Sequence, residues 1–185
     1  MRIIAFTGYS GAGKSETSMR INRLFGYPII ESRPILKKIA RENSFQRARE
    51  CIPAIGFERF FSEGRKRTVD IINSTNDFLK PDKVIIADLF DRKLFKYLKE
   101  KFEDKMNIIS ISATRRIREH RIMIRKKIDR ISSIKETKFL DMLKKRCGIK
   151  KVISSGDLKL KNNNGIEEIV KKIKNYLSRG DIEGD

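Results

Sequence analysis

The chain has 185 residues, 39% of them apolar and 36% charged, which suits one ordinary domain with its own core and excludes a disordered tail. Its 43 Lys and Arg outnumber 24 Asp and Glu, a formal net charge of +19, so acidic partners such as nucleotides, coenzymes, RNA or an anionic membrane come first. Cys51 and Cys147 form no CxxC pair, which argues against a zinc site or disulfide framework and for a reducing, cytoplasmic setting; apolar runs reach only about four residues, so neither a signal peptide nor a transmembrane helix is expected.

Short apolar runs alternate with longer amphipathic stretches, the rhythm of strands joined by crossover helices. Residues 3–7 read as the first strand, followed by a Gly-rich turn and a helix over 14–25 that stops near Gly26. Residues 28–30 read as a short second strand. Residues 33–80 show no strand pattern; Phe57, Phe60, Phe61, Val69, Ile72 and Phe78 lie among charges at helical spacing, with Pro53 and Pro81 as punctuation. A buried strand is expected over 83–88, then a helix presenting Leu94, Leu98 and Phe102 on one face, then a strand over 107–112. Residues 115–130 read as a helix with Ile117, Ile124, Ile128 and Ile131 near one face. Ser133-x-x-Glu136 fits a capping box that opens the next helix. A last strand is expected over 158–161. The final helix, with Asn164 as N-cap and Glu167 at its third position, carries Ile166, Ile169, Val170, Ile173 and Leu177; the end beyond it, 181–185, reads as a flexible tail. One α/β domain over 1–180 with about five parallel strands is the economical reading.

Gly8-Tyr9-Ser10-Gly11-Ala12-Gly13-Lys14-Ser15 satisfies G-x-x-x-x-G-K-[ST] between a strand and a helix, as a phosphate-binding loop requires. Glycines let the backbone curl so that amides point at phosphate oxygens, and the helix N-terminus adds positive potential. In that role Lys14 reaches the β and γ phosphates and Ser15 offers its hydroxyl to Mg²⁺. Val84-Ile85-Ile86-Ala87-Asp88 is a buried strand ending in a carboxylate, the form of a Walker B segment, and makes Asp88 a second candidate for the metal. No N-K-x-D base-reading motif and no LSGGQ segment is present, which excludes switch-type GTPases and ABC-type ATPases; a ring-forming ATPase would need a larger module.

The loop, the 84–88 strand, an Arg-rich segment after the strand near 108–112, and the ending Gly156-Asp157-Leu158-x-Leu160-x-Asn162-Asn163-Asn164-Gly165-x-Glu167-Glu168 together resemble the P-loop nucleoside monophosphate kinases, above all dephospho-CoA kinases and related archaeal P-loop kinases. The resemblance spans most of the chain but is motif-specific only at the loop. It implies a three-layer α/β fold with a five-stranded parallel sheet in the order 2-3-1-4-5, an acceptor-binding helical insertion over about 33–80 and a basic lid over about 114–135. It also implies ATP and Mg²⁺ as cofactors. Nucleotide contacts then fall to residues 8–15, Thr17, Arg118, Asn163 and Gly165, metal contacts to Ser15 and Asp88, and acceptor contacts to Arg33, Lys37 and Lys127.

In the lid, residues 115–130 hold eight Lys or Arg against Glu119 and Asp129, and Arg118, Arg121, Arg125 and Lys127 are similar to the family's lid cations. Arginines delivered there act on a loose phosphoryl transition state by electrostatics and positioning. Lys14, Asp88, Arg118, Arg121 and Arg125 are accordingly the catalytic candidates, with Asp88 as proton acceptor if the acceptor is an alcohol. His120 reads as incidental. The acceptor region departs from the family: Pro34 and Lys37 stand where an Asp and an Arg are usual, and Leu89-Phe90 follows Asp88 where Gly is common.

The expected activity is γ-phosphoryl transfer from ATP to a small nucleotide-like acceptor. Residues 92–151 hold 21 Lys or Arg against 7 Asp or Glu, and this local excess keeps a second reading open: a nucleotide-binding, RNA- or ribosome-associated ATPase factor. No RNA-reading motif or aromatic row accompanies it.

Overall fold

A computed structural model describes residues 1–180, with side chains to 178; the tail expected over 181–185 lies outside the described residues. In chain order the elements are β1 (Arg2–Thr7), α1 (Lys14–Phe25), β2 (Ile29–Ile30), α2 (Ser32–Glu42), α3 (Ala48–Ile55), α4 (Phe57–Leu79), β3 (Lys83–Ile86), α5 (Arg92–Phe102), β4 (Met106–Ser112), α6 (Arg115–Lys126), α7 (Arg130–Arg146), α8 (Ile149–Ser154), β5 (Leu158–Lys161) and α9 (Glu167–Gly180), with a single 3₁₀ turn at Glu103–Lys105 before β4. The five strands form one parallel sheet in the order β2-β3-β1-β4-β5.

Alternation along β1 explains the three layers. Ile3 and Ala5 face one way with Val84, Ile86, Met106 and Ile108, under α2 to α5 and α8. Ile4 and Phe6 face the other way with Ile85, Ile109, Ile111 and Leu160, under Ile21 of α1 and Ile169, Ile173 and Leu177 of α9. Strands covered on both faces carry continuous apolar runs, which is why 3–6 and 84–87 show no polar alternation.

Residues 33–80 resolve into three helices. Pro53 lies inside α3 rather than between helices, and the break falls at Gly56, whose φ of 89° both ends α3 and opens α4. Lys80 closes α4 in a left-handed conformation directly before Pro81.

Three local expectations are corrected. The helix after α6 is capped by Asp129, whose carboxylate accepts from the Ser132 amide at 3.0 Å, so Ser133 and Glu136 lie inside α7 and form no box. Ser133 Oγ bonds the Arg130 carbonyl instead, and the Glu136 carboxylate is taken by Arg49 and Lys126. The isoleucine face expected on the 115–130 helix is not the buried one: Ile124 and Ile131 are 62% and 67% exposed, whereas Arg118 and Ile122 are buried. The physical reason is that α6 packs an arginine-bearing face against the Gly-rich loop. Finally, α9 starts at Glu167, beyond Asn164, and its first turn is tied to α1 by Arg20 bonding Glu167 at 3.0 Å.

Candidate active site

The site is assembled at the C-terminal ends of β1 and β3, under α6. β1 stops at Thr7 and the chain turns through Gly8, Gly11 and Gly13, with φ of 139°, 82° and 101°. At Gly8 a side chain is impossible for a second reason: a Cβ would stand 2.1 Å from the Ile111 carbonyl oxygen of β4. The turn therefore lies pressed against the sheet end, and Gly13 delivers the chain into α1 with no side-chain cap on its first amides. Thr17, also in α1, bonds back to the Gly13 carbonyl at 3.0 Å.

Lys14 is only 5% exposed and folds back over the loop, its Nζ donating to the Tyr9 carbonyl at 2.9 Å and standing 3.5 Å from Asp88 Oδ1. Burial drives its pKa down to about 7, the Asp88 carboxylate opposing that shift and the nearby Lys144 ammonium adding to it. Asp88 follows β3. Burial alone would raise its carboxyl, but the charges of Lys14 and Lys144 prevail and hold it below the usual carboxylate range.

Lys144, on α7, is the residue the sequence did not single out. Its Nζ lies 2.7 Å and 2.8 Å from the two Asp88 oxygens, donates to the Gly8 carbonyl at 3.1 Å, and sits 5.0 Å from the centre of the Phe90 ring. Two ammonium groups thus share one carboxylate beside a loop whose helix N-terminus is itself positive. The balance leaves room for an anion.

α6 closes the site from above. Arg118 donates to the Ser10 carbonyl at 3.1 Å, packs 5.3 Å from the Tyr9 ring centre, and forms a two-pronged pair with Asp141 of α7 at 2.8 Å on each arm. Arg121 reaches the Gly11 carbonyl at 3.3 Å and Asn162 Oδ1 at 3.2 Å, while Asn162 Nδ2 donates to the Ala12 carbonyl at 3.0 Å. Burial lowers the pKa of Arg121. The Arg125 guanidinium is shifted the same way, the charge of Arg33 adding to the shift and those of Glu136 and Asp88 opposing it; Arg125 and Arg33 are both exposed. Asn163 accepts from the Thr114 amide at 3.0 Å and ties the start of α6 to the chain after β5; Gly165, with φ of 145°, follows it.

A cleft beside Asp88 runs between α2 and α4, walled by Ser32, Leu36, Phe61, Arg65 and Phe90. Its narrowness comes from Gly64, where a Cβ would approach Leu36 to 2.9 Å. Arg65 on its wall is engaged by Asp91 at 2.9 Å and by Glu58. Leu89 and Phe90, the pair that departs from the family, are buried, and Phe90 meets Phe61 edge-on at 6.0 Å.

Of the residues singled out in the sequence, Gly8, Tyr9, Ser10, Gly11, Ala12, Lys14, Asp88, Arg118 and Arg121 converge within one bonded network. Lys37 and Lys127 are exposed, with no hydrogen bond to the loop or to Asp88 among the described residues. Lys144, Asp141 and Asn162 were missed. The first two look like ordinary members of a charged helix; Asn162 stands one position before Asn163, and only its 2% exposure separates it from its neighbours.

The fold, a five-stranded parallel sheet between helices, is the one seen in P-loop kinases of known structure. Shikimate kinase from Bacteroides thetaiotaomicron superposes with a TM-score of 0.65 at 16% identity, covering 96% of this chain and 98% of that one. A gluconokinase from Sinorhizobium meliloti does so with 0.55 at 13% identity, covering 96% and 91%. No family model matches. In sequence, the chain is similar to a UPF0200/UPF0201 protein of Archaeoglobus fulgidus, 27% identical over 179 residues, and to a UPF0200 protein of Methanosarcina mazei, 24% identical over 182 residues. It aligns over 96% of its own length in both cases, spanning 55% of the Archaeoglobus protein and 95% of the Methanosarcina protein. The comparisons give no support to an RNA partner. Among the described residues, six of the 21 Lys and Arg of 92–151 are held in ion pairs: Lys93 with Glu58, Lys96 with Glu100, Arg115 with Glu119, Arg118 with Asp141, Lys126 with Glu136 and Lys144 with Asp88. Among the described residues no helix is long and apolar enough to cross a membrane.

Proposed function

We propose that the chain is an ATP-dependent kinase that transfers the γ-phosphoryl group to a small nucleotide-like acceptor of the dephospho-CoA or nucleoside monophosphate type. The observation that carries this reading is the convergence of Lys14, Lys144 and Arg121 on a glycine-formed turn beside the Asp88 carboxylate, within a P-loop kinase fold. In this reading residues 8–15 and Thr17 bind the donor, Lys14 holds its terminal phosphates, and Arg118, Asn163 and Gly165 line the nucleoside side. Arg121 and Arg125 hold the transferring group, and Arg33 with Lys37 and Lys127 meets the acceptor as α6 and the first turn of α7 act as a lid. Transfer then depends on positioning and charge rather than on covalent work by the protein.

Mg²⁺ would be held by the Ser15 hydroxyl, in the first turn of α1 at the end of the glycine turn, and would offset charge on the nucleotide's terminal phosphates. Asp88 has both oxygens on Lys144, and no group of three or more His, Cys, Asp or Glu gathers as a metal cage among the described residues. The same pairing makes Asp88 a weak base. Of the two acceptor types, the nucleoside monophosphate, whose attacking oxygen is already ionised, therefore suits the site better than an alcohol.

The test is ADP release from Mg-ATP against AMP, CMP, UMP, dTMP, GMP, dephospho-CoA and a short RNA. Strong stimulation by one small acceptor is expected. Slow turnover indifferent to all of them, or raised only by RNA, would refute the kinase reading.

A further inference from the structure

Lys144 is not part of the Gly-rich motif, of the basic lid or of the strand that carries Asp88, yet it is the group closest to the Asp88 carboxylate. Its side chain is 7% exposed, against 27% for Asp88. An ammonium has three donors, and here they are directed to the two Asp88 oxygens and to the carbonyl of Gly8, the first residue of the loop. Lys14, the lysine of the motif itself, stands farther from Asp88, at 3.5 Å. The Asp88 carboxylate balances one of these two cations; the second is surplus. The surplus faces a turn whose helix N-terminus favours negative charge. On the other side Lys144 is bounded by the Phe90 ring, 5.0 Å away.

We propose that Lys144 is a further phosphoryl-contacting residue: its ammonium rests on Asp88 in the nucleotide-free site and is shared with the terminal phosphoryl oxygens of a bound nucleoside triphosphate. The inference rests on the kinase reading of the site. Because Lys144 lies on the same helix as Asp141, the partner of Arg118, the contact also ties the terminal phosphoryl group to the packing of α6 on the loop. A terminal phosphoryl contact is read most directly by the preference for ATP over ADP, since only ATP presents that group.

The experiment measures Kd for ATP and ADP by calorimetry, in EDTA so that metal plays no part, for the full chain and its K144M, K144R and K144M/D88N variants. Thermal melting confirms that each is folded. The wild type is expected to bind ATP more tightly than ADP. K144M is expected to lose at least tenfold in ATP affinity with less than a twofold change for ADP, K144R is expected to keep most of the preference, and K144M/D88N is not expected to regain it. An unchanged ATP-to-ADP ratio in K144M overturns the proposal. So does recovery of the ratio in K144M/D88N, because Lys144 would then serve only to neutralise Asp88. A wild type that binds neither nucleotide removes the kinase reading and this proposal with it, an outcome distinct from the other two. If K144M does not fold, the ratio is read from K144R and from K144Q, and a wild-type ratio in K144Q overturns the proposal equally.

Discussion

Replacing Asp141 by Ala separates the role of α6 from the chemistry beneath it. Arg118 and Asp141 are paired through two 2.8 Å hydrogen bonds with their side chains 8% and 17% exposed, and among the described residues the guanidinium also bonds the Ser10 carbonyl. Removing the carboxylate strands a buried cation. Breaking a buried pair this way costs about 3–5 kcal/mol, and the partial exposure of Asp141 puts this case near the lower end, at about 3 kcal/mol. For a chain of this size that is a fall in melting temperature of about 6–12 °C. Unfolding in urea is followed by circular dichroism, since the chain has no Trp to report by fluorescence. The double variant R118M/D141L, which replaces the charges by apolar groups of similar size, is expected to return to within about 1 kcal/mol of the wild type. Arg118 also holds the Ser10 carbonyl, so amide exchange in residues 8–13 is expected to quicken in D141A and not at β3. A loss below about 1 kcal/mol, or single-variant losses that simply add in R118M/D141L, would refute the claim that this pair docks α6 on the loop.

The lowered pKa of Lys14 makes nucleotide binding a proton-linked event. At pH 8 a group titrating near 7 is mostly neutral, and a triphosphate recharges it, so ATP binding is expected to take up to about 0.9 proton, measured by calorimetry in buffers of different ionisation enthalpy; Lys14→Met abolishes the uptake. The sign for folding follows from the same shift: between about 7 and 9, below the range where the raised Cys147 thiol acts the opposite way, the unfolded chain holds the extra proton, so the nucleotide-free wild type gains stability with pH relative to Lys14→Met, and parallel profiles for the two would contradict it. Gly8→Ala meets both a φ of 139° and an Ile111 carbonyl 2.1 Å from its Cβ, and is expected to cost about 3 kcal/mol or more or to prevent folding; a urea midpoint equal to the wild type would contradict the described packing.

Much of the frame was legible along the chain because its signals are local. The apolar runs at 3–6 and 84–87, the Gly-x-x-x-x-Gly-Lys-Ser turn and the amphipathic pattern of α5 and α9 each depend on residues within a few positions of one another. The pairing order was legible only through the resemblance; nothing in a strand of four residues says which neighbour it will take. Two errors share a cause. Ser133-x-x-Glu136 is a valid start signal, but Asp129 lies nearer the left-handed turn at Lys127 and captured the cap first. The isoleucines of α6 trace an apolar stripe, yet the helix buries Arg118 because a partner carboxylate waits on α7 and a carbonyl on the loop.

By itself, then, the sequence determined which segments are strands, where the glycine turn falls, that Lys14 opens a helix and that Asp88 follows a strand. Only the tertiary structure decided what stands beside them. Asp88 and Lys144 are 56 residues apart, and Ala12 and Asn162 are 150 apart. A lysine on a basic helix has no local mark to separate it from its neighbours; its place arises because a carboxylate drawn out of water needs cations beside it, and folding brings Lys144 of α7 to within 2.7 Å of Asp88.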